Sequence, residues 1–157
     1  MESYSPEPSD KSYALPRFRV SLIGENRVAQ PERSISSSSD AGVLLLPCFK
    51  NLDREQFIVC GVDAKHRIIG FNIVSVGSLS LAIVHPREVF KPLILMNAAA
   101  FLCAHNHPSG DCTPSAEDRA LTGRLCQAAE LLGIAMLDHI IFGDTHYSFA
   151  DHSWPCA

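Results

Sequence analysis

Two histidines one residue apart, His105 and His107, close an apolar run from Ala98 to Ala104. A loop of Pro, Ser, Gly and Asp follows, and then Ser115, Glu117 and Asp118 open what reads as a helix. Residues i and i+2 of a strand point to one face, so both imidazoles can leave the strand end in the same direction. A carboxylate in the first turn of the next helix can meet them there. Zinc asks for such a donor set: a few N and O ligands at ~2.0–2.2 Å, with one position left for water where the site is catalytic. Each part also has a plainer reading. Loop histidines commonly bond to backbone, and an acid such as Asp118 is favoured at a helix start by the dipole and the cap. The combination of the three is what points to a metal.

Other groups could complete such a site. Ser115 reads as the helix N-cap, and its hydroxyl could also face a metal water or a developing oxyanion if the helix leaves it free. Glu55 and Glu88 compete as general base. Glu55 opens an apolar strand, where a carboxylate can sit at the edge of a cleft. Glu88 lies in the first turn of a helix, where Glu is commonplace. Asp138 and His139 interrupt a buried strand, either as a satisfied polar pair or as support that orients a ligand. His66, His85, His146 and His152 show no pattern and read as surface residues. The six cysteines form no CxxC pair, and most sit in apolar runs, so they read as reduced thiols of a cytoplasmic protein. Cys112, in the loop, is the cysteine best placed to reach a metal.

The frame for these groups is ordinary. At 157 residues, 46% apolar and 19% charged, the chain suits one soluble domain over 15–157 behind a disordered tail at 1–14. Net charge -4 and pI near 5.9 argue against a broadly basic nucleic-acid surface. No apolar run reaches the ~18 residues that span a bilayer, and the polar N-terminus is no signal peptide. Phe18–Ile23 has strand composition, with a turn at Gly24–Asn26. Ser36–Ser39 is low complexity, and Asp40 could cap a helix through Leu45 that Pro47 ends. Glu55–Asp63 and Ile68–Val76 read as a hairpin, and Leu79–Val84 as a further strand. Pro86 suits the first position of a helix, Arg87–Ala98, that Pro92 should kink or split. Leu121, Leu125, Ala128 and Leu132 form a core face ending at Gly133. Ile134–Phe142 and His146–Phe149 complete a mixed α/β fold, a sheet flanked by helices.

Glu55, then His105-x-His107-Pro108, then Ser115-x-x-Asp118 resembles the JAMM (MPN+) metalloprotease signature, and the eleven-residue step from His107 to Asp118 fits it. The match is closer still to the RadC-like JAB domain. Its blocks resemble Pro86–Phe90, His105–Asp111, Pro114-Ser115, Leu132–Ile134 and Leu137–Ile141. The resemblance implies a zinc hydrolase of peptide or isopeptide bonds. His105, His107 and Asp118 would hold one zinc, Glu55 would be the base and Ser115 a polar helper. Longer RadC proteins carry a helix-hairpin-helix DNA-binding segment, for which this sequence shows no pattern. Pro92, and the serine run where a more ordinary helix start is expected, depart from the family without touching a ligand.

Two rivals follow. One is a non-catalytic zinc-stabilised accessory domain linked to DNA repair or mobile elements. The other is a zinc nucleobase deaminase, whose HxE and PCxxC motifs do not occur here. The tripeptide His105-Asn106-His107 spells HNH only by accident, because HNH nucleases spread those residues over a ββα unit. The expected partner is a protein or peptide substrate, with only weak binding of duplex DNA by this chain and no membrane contact. Neither the substrate nor the oligomeric state is legible in the sequence.

Overall fold

Strand β1 (Gln56–Val62) is buried at every residue, as an apolar run in the middle of a sheet must be. The computed structural model describes residues 19, 22–24, 34–77 and 84–152. β2 (Ile68–Val76) returns antiparallel to β1. The Asp63 carboxylate makes the turn between them by accepting from the Lys65 and Arg67 amides at 2.8 and 2.9 Å. Then come α2 (Pro86–Leu95), β3 (Ala100–Asn106), α3 (Ala116–Leu132), β4 (Ala135–Phe142) and β5 (His146–Ser148), all preceded by α1 (Ser38–Leu45). The sheet runs β2-β1-β3-β4-β5. β3 and β4 are parallel, joined through α3, and the other neighbours are antiparallel. This is one domain with a mixed sheet and helices, an α/β fold.

The side-chain alternation of β1 and β3 divides the core in two. Phe57, Val59, Phe101 and Cys103 meet Val89, Phe90 and Leu93 of α2 and Leu121, Leu125 and Ala129 of α3. Ile58, Cys60, Leu102 and Ala104 meet Ala41, Leu44 and Leu45 of α1 on the opposite face. Fully burying one such aromatic or aliphatic side chain contributes about 1.5–3 kcal/mol. His105 continues the parity of Phe101 and Cys103, so its ring enters on the side where α3 begins.

Several expectations change. The serine run is itself a helix start: Ser37, not Asp40, is the N-cap, accepting from the Asp40 amide at 3.1 Å. The Asp40 carboxylate reaches back to the Ser36 amide at 3.1 Å. α2 passes through Pro92 as one helix. Pro92 is buried there, and that packing helps offset a lost hydrogen bond and ring clash of ~3 kcal/mol. α2 also ends at Leu95, short of Ala98. Asn97 takes φ 52, and the Ala98 and Asn97 amides cap the Leu93 and Ile94 carbonyls at 3.0 and 3.1 Å. Leu132 is exposed: the buried stripe of α3, Asp118, Leu121, Thr122, Leu125 and Ala129, ends one turn before it. Cys126 is not a free thiol but disulfide-bonded. Such a pairing depends on proximity in space, and no spacing in the chain announces it. The expected strand at Phe18–Ile23 and its turn fall mostly outside the described residues. So does the strand at Leu79–Val84, apart from the buried Val84. Among the described residues, no helix is long and apolar enough to cross a membrane.

Candidate metal centre

β3 delivers His105 as its penultimate residue, with the side chain 1% exposed. His107 leaves the strand but remains tied to β4, its amide donating to the Phe142 carbonyl at 2.8 Å. The loop beyond is pinned to the β4–β5 turn. The Gly110 amide donates to the His107 carbonyl at 3.0 Å and the Asp144 amide to the Gly110 carbonyl at 2.7 Å. The turn comes so close that a Cβ on Gly143 would strike the Gly110 carbonyl. α3 then opens with a full capping box. Ser115 Oγ accepts from the Asp118 amide at 3.0 Å, and Asp118 Oδ2 accepts from the Ser115 amide and hydroxyl, both at 2.7 Å.

These three elements bring His105, His107 and Asp118 together, with one donor atom from each inside a 4.8 Å span. His105 Nε2 lies 3.0 Å from His107 Nε2 and 3.1 Å from Asp118 Oδ1, and His107 Nε2 lies 3.6 Å from Asp118 Oδ2. His107 Nδ1 is 2.7 Å from the carbonyl oxygen of Asp111. A carbonyl only accepts, so Nδ1 carries the hydrogen and a neutral ring presents a bare Nε2. Lone pairs converging at this distance repel unless a proton or a cation sits among them. A divalent cation answers all three, so the donor set fits a metal ion.

The electrostatics agree. Burial alone would raise the pKa of Asp118, but its bonds to His105, His107 and Ser115 outweigh burial and hold it far below the usual carboxylate range. The Asp118 carboxylate raises His107 above its ordinary 6.5. Burial opposes this, while the Asp111 carbonyl and the Glu55 carboxylate add to it. Glu55 therefore lies close enough to act on His107.

With that geometry in hand, the likeness to known proteins is informative. The family described as RadC-like JAB domain matches residues 35–154. The chain belongs to that family. A UPF0758 protein of Rubrobacter xylanophilus is 48% identical over 118 residues, 75% of this chain and 52% of its own length. A UPF0758 protein of Methanosarcina mazei is 46% identical over 130 residues, 83% of this chain and 57% of its own. The chain thus spans about half the length of the curated relatives it matches.

Within this JAB domain, Glu55 is half-buried and immediately precedes β1, two residues before Phe57, the register partner of His105. Asn106 holds it there. Its Oδ1 accepts from the Gln56 amide at 2.8 Å and its Nδ2 donates to the Arg54 carbonyl at 3.1 Å, so both neighbours of Glu55 are clamped. Glu88 is elsewhere engaged, with Lys91 Nζ at 2.6 Å from its carboxylate on α2. Cys112 stays outside the triad, its Sγ 3.3 Å from Thr145 Oγ1.

Asp138 and His139 prove to have different partners. Asp138 accepts from the His139 and Ala150 amides and the Ser148 hydroxyl at 2.7, 3.0 and 2.6 Å, which staples the chain around β5 to β4. Burial still leaves its pKa raised. His139 is fully buried and touches His105, with Nε2 to Nδ1 at 2.9 Å. From the sequence no role at the site is expected of Thr122, nor of Asn106 beyond its accidental place in an HNH tripeptide. The one available signal was a polar residue inside an otherwise apolar stripe. His85, read as a surface residue, is exposed but caps α2 by accepting from the Arg87 amide at 3.2 Å.

Proposed function

We propose that this domain is a zinc-dependent hydrolase of the JAMM type that cleaves a peptide or isopeptide bond. The observation carrying this is the convergence of His105, His107 and Asp118, with the Glu55 carboxylate near enough to bear on His107. His105 and His107 through Nε2, and Asp118 through its carboxylate, would hold one zinc ion. When bound there, zinc supplies a Lewis acid and lowers the pKa of water toward ~7. Glu55 takes the proton of the attacking water and hands it to the leaving amine. Ser115 serves by aiming Asp118: its hydroxyl hydrogen is already donated to Oδ2, so orientation of the ligand is its contribution. The free thiols Cys48, Cys60, Cys103 and Cys112 are in keeping with a cytoplasmic setting, and the disulfide of Cys126 counts against it.

Elemental analysis of the chain purified without added metal should find one zinc per chain. Substoichiometric metal that zinc reconstitution does not raise would sink the reading. Proteome-derived peptide and isopeptide libraries, cleaved in the presence and absence of a chelator, then identify the bond class.

The companion proposal is that this chain alone has little affinity for duplex DNA. With net charge -4, binding to random duplex at physiological salt should be no tighter than ~10⁻⁴–10⁻⁶ M. Submicromolar binding in a mobility-shift titration would favour the accessory role in DNA repair over the hydrolase.

A further inference from the structure

Behind the triad, a chain of hydrogen bonds has only one satisfying arrangement of hydrogens. Thr122 Oγ1 lies 2.6 Å from the backbone carbonyl of Asp118 and 2.6 Å from His139 Nδ1. The carbonyl cannot donate, so the hydroxyl hydrogen goes to it and Thr122 Oγ1 must accept from His139 Nδ1–H. His139 is fully buried, with Phe149 stacked on its ring at 5.1 Å and Phe57 edge-on at 5.5 Å. An imidazolium has no place in those surroundings, so the ring is neutral and its Nε2 is an acceptor. Among the described residues, the group offered to it is His105 Nδ1, 2.9 Å away. His105 therefore carries a hydrogen on Nδ1, and in the neutral ring it is Nε2 that is left bare to face His107 and Asp118.

We propose that Thr122 and His139 are positioning residues for the metal centre. They lock His105 in the tautomer that bares Nε2, and they tie its ring to the helix turn that carries Asp118. The chain starts at the Asp118 carbonyl, passes through Thr122, His139 and His105, and returns to the Asp118 carboxylate. Two of the three ligands are thus set relative to each other before an ion arrives. The proposal rests on the metal reading for its consequence, but its hydrogen assignments stand on these distances.

Thr122→Val keeps the shape of the side chain and removes the acceptor. His139 should then move its hydrogen to Nε2, His105 Nδ1 must accept it, and the hydrogen displaced to His105 Nε2 masks the ligand. A long-range ¹H–¹⁵N spectrum of the zinc-free full chain reads the tautomer of His139. Competition for zinc against a chromophoric chelator reads affinity. We expect Nδ1–H in the wild type and Nε2–H in Thr122→Val, with zinc binding weakened about 10–100-fold. Thr122→Ser should restore both. His139→Phe, which retains a ring between Phe57 and Phe149, should lose a similar factor, and the double variant should lose little more, because both changes cut one chain. Unrelated packing losses would instead multiply. An Nε2–H tautomer in the wild type, or wild-type zinc affinity in a folded Thr122→Val, overturns the proposal. If the wild type takes up no zinc, the hydrolase reading fails, and the His139 tautomer in wild type and Thr122→Val still decides this one.

Discussion

Glu55→Gln should keep its zinc and its thermal stability while losing hydrolysis of any cleaved substrate by ~10²–10⁴-fold. The amide preserves size and hydrogen bonding but cannot take a proton from water. Glu55 sits just before β1, in a short stretch whose neighbours are fixed by Asn106, so the substitution should not disturb the sheet. It belongs to none of the three groups that converge on the metal position, so metal content should hold. Glu88→Gln is the control: its carboxylate is bound to Lys91 on α2, and its loss should leave turnover nearly unchanged. The measurement is kcat together with zinc per chain for both variants. Wild-type turnover by Glu55→Gln would remove the base from the mechanism. Loss of zinc along with turnover would instead make Glu55 part of the metal site.

His107→Ala should lose the metal and with it the stability that the metal contributes. Binding to the folded chain alone, at about a hundredfold above Kd, is worth ~2.7 kcal/mol. For a chain of this size that is a fall in Tm of roughly 5–11 °C in zinc-containing buffer. The same residue sets a pH signature. In the metal-free site the His107 pKa is raised above 6.5, so its contribution to folding is full below 6.5 and is lost as pH rises through the higher folded value. The Asp118 pKa is depressed below 3.8, so its contribution is full above 3.8 and is lost as pH falls. The metal-free site is therefore most favourable between those limits. Zinc needs His107 unprotonated, so protons compete from above pH 6.5 downward. The increment in Tm on adding zinc should grow from about pH 6 to 8. Differential scanning fluorimetry with and without zinc tests this, and an increment that is flat or falls across the range would contradict the assignment. In His107→Ala the increment should vanish at every pH.

Most of the metal triad was legible because its members are local in the chain. Strand period two aims His105 and His107 alike, and a capping box fixes Asp118 at a helix start, so neither step needs a distant contact. The hairpin of β1 and β2 and the long α3 were legible for the same reason. The start of α1 was misread by three residues. In a run of serines each hydroxyl can cap, and the choice of Ser37 is made by Asp40 bonding back to Ser36. Leu132 keeps the angular position of Leu121 and Leu125 on the helix, and only the packing of the folded chain says where along α3 the buried stripe ends.

Tertiary structure alone decided what stands behind the site. β3 and β4 pair in parallel with a register shift between Phe101 and Leu102, which sets His139 beside Cys103 and within reach of His105. A shift of that kind cannot be counted from the sequence, since one residue more or less would turn His139 to the other face. The same holds for Asn106 and its grip on the residues flanking Glu55, which lie fifty positions earlier in the chain. Residue types and spacing thus determined which atoms could bind a metal. The packing of strands and helix determined which of their nitrogens face it, because the position of a ring hydrogen is set by partners that only the folded chain brings near.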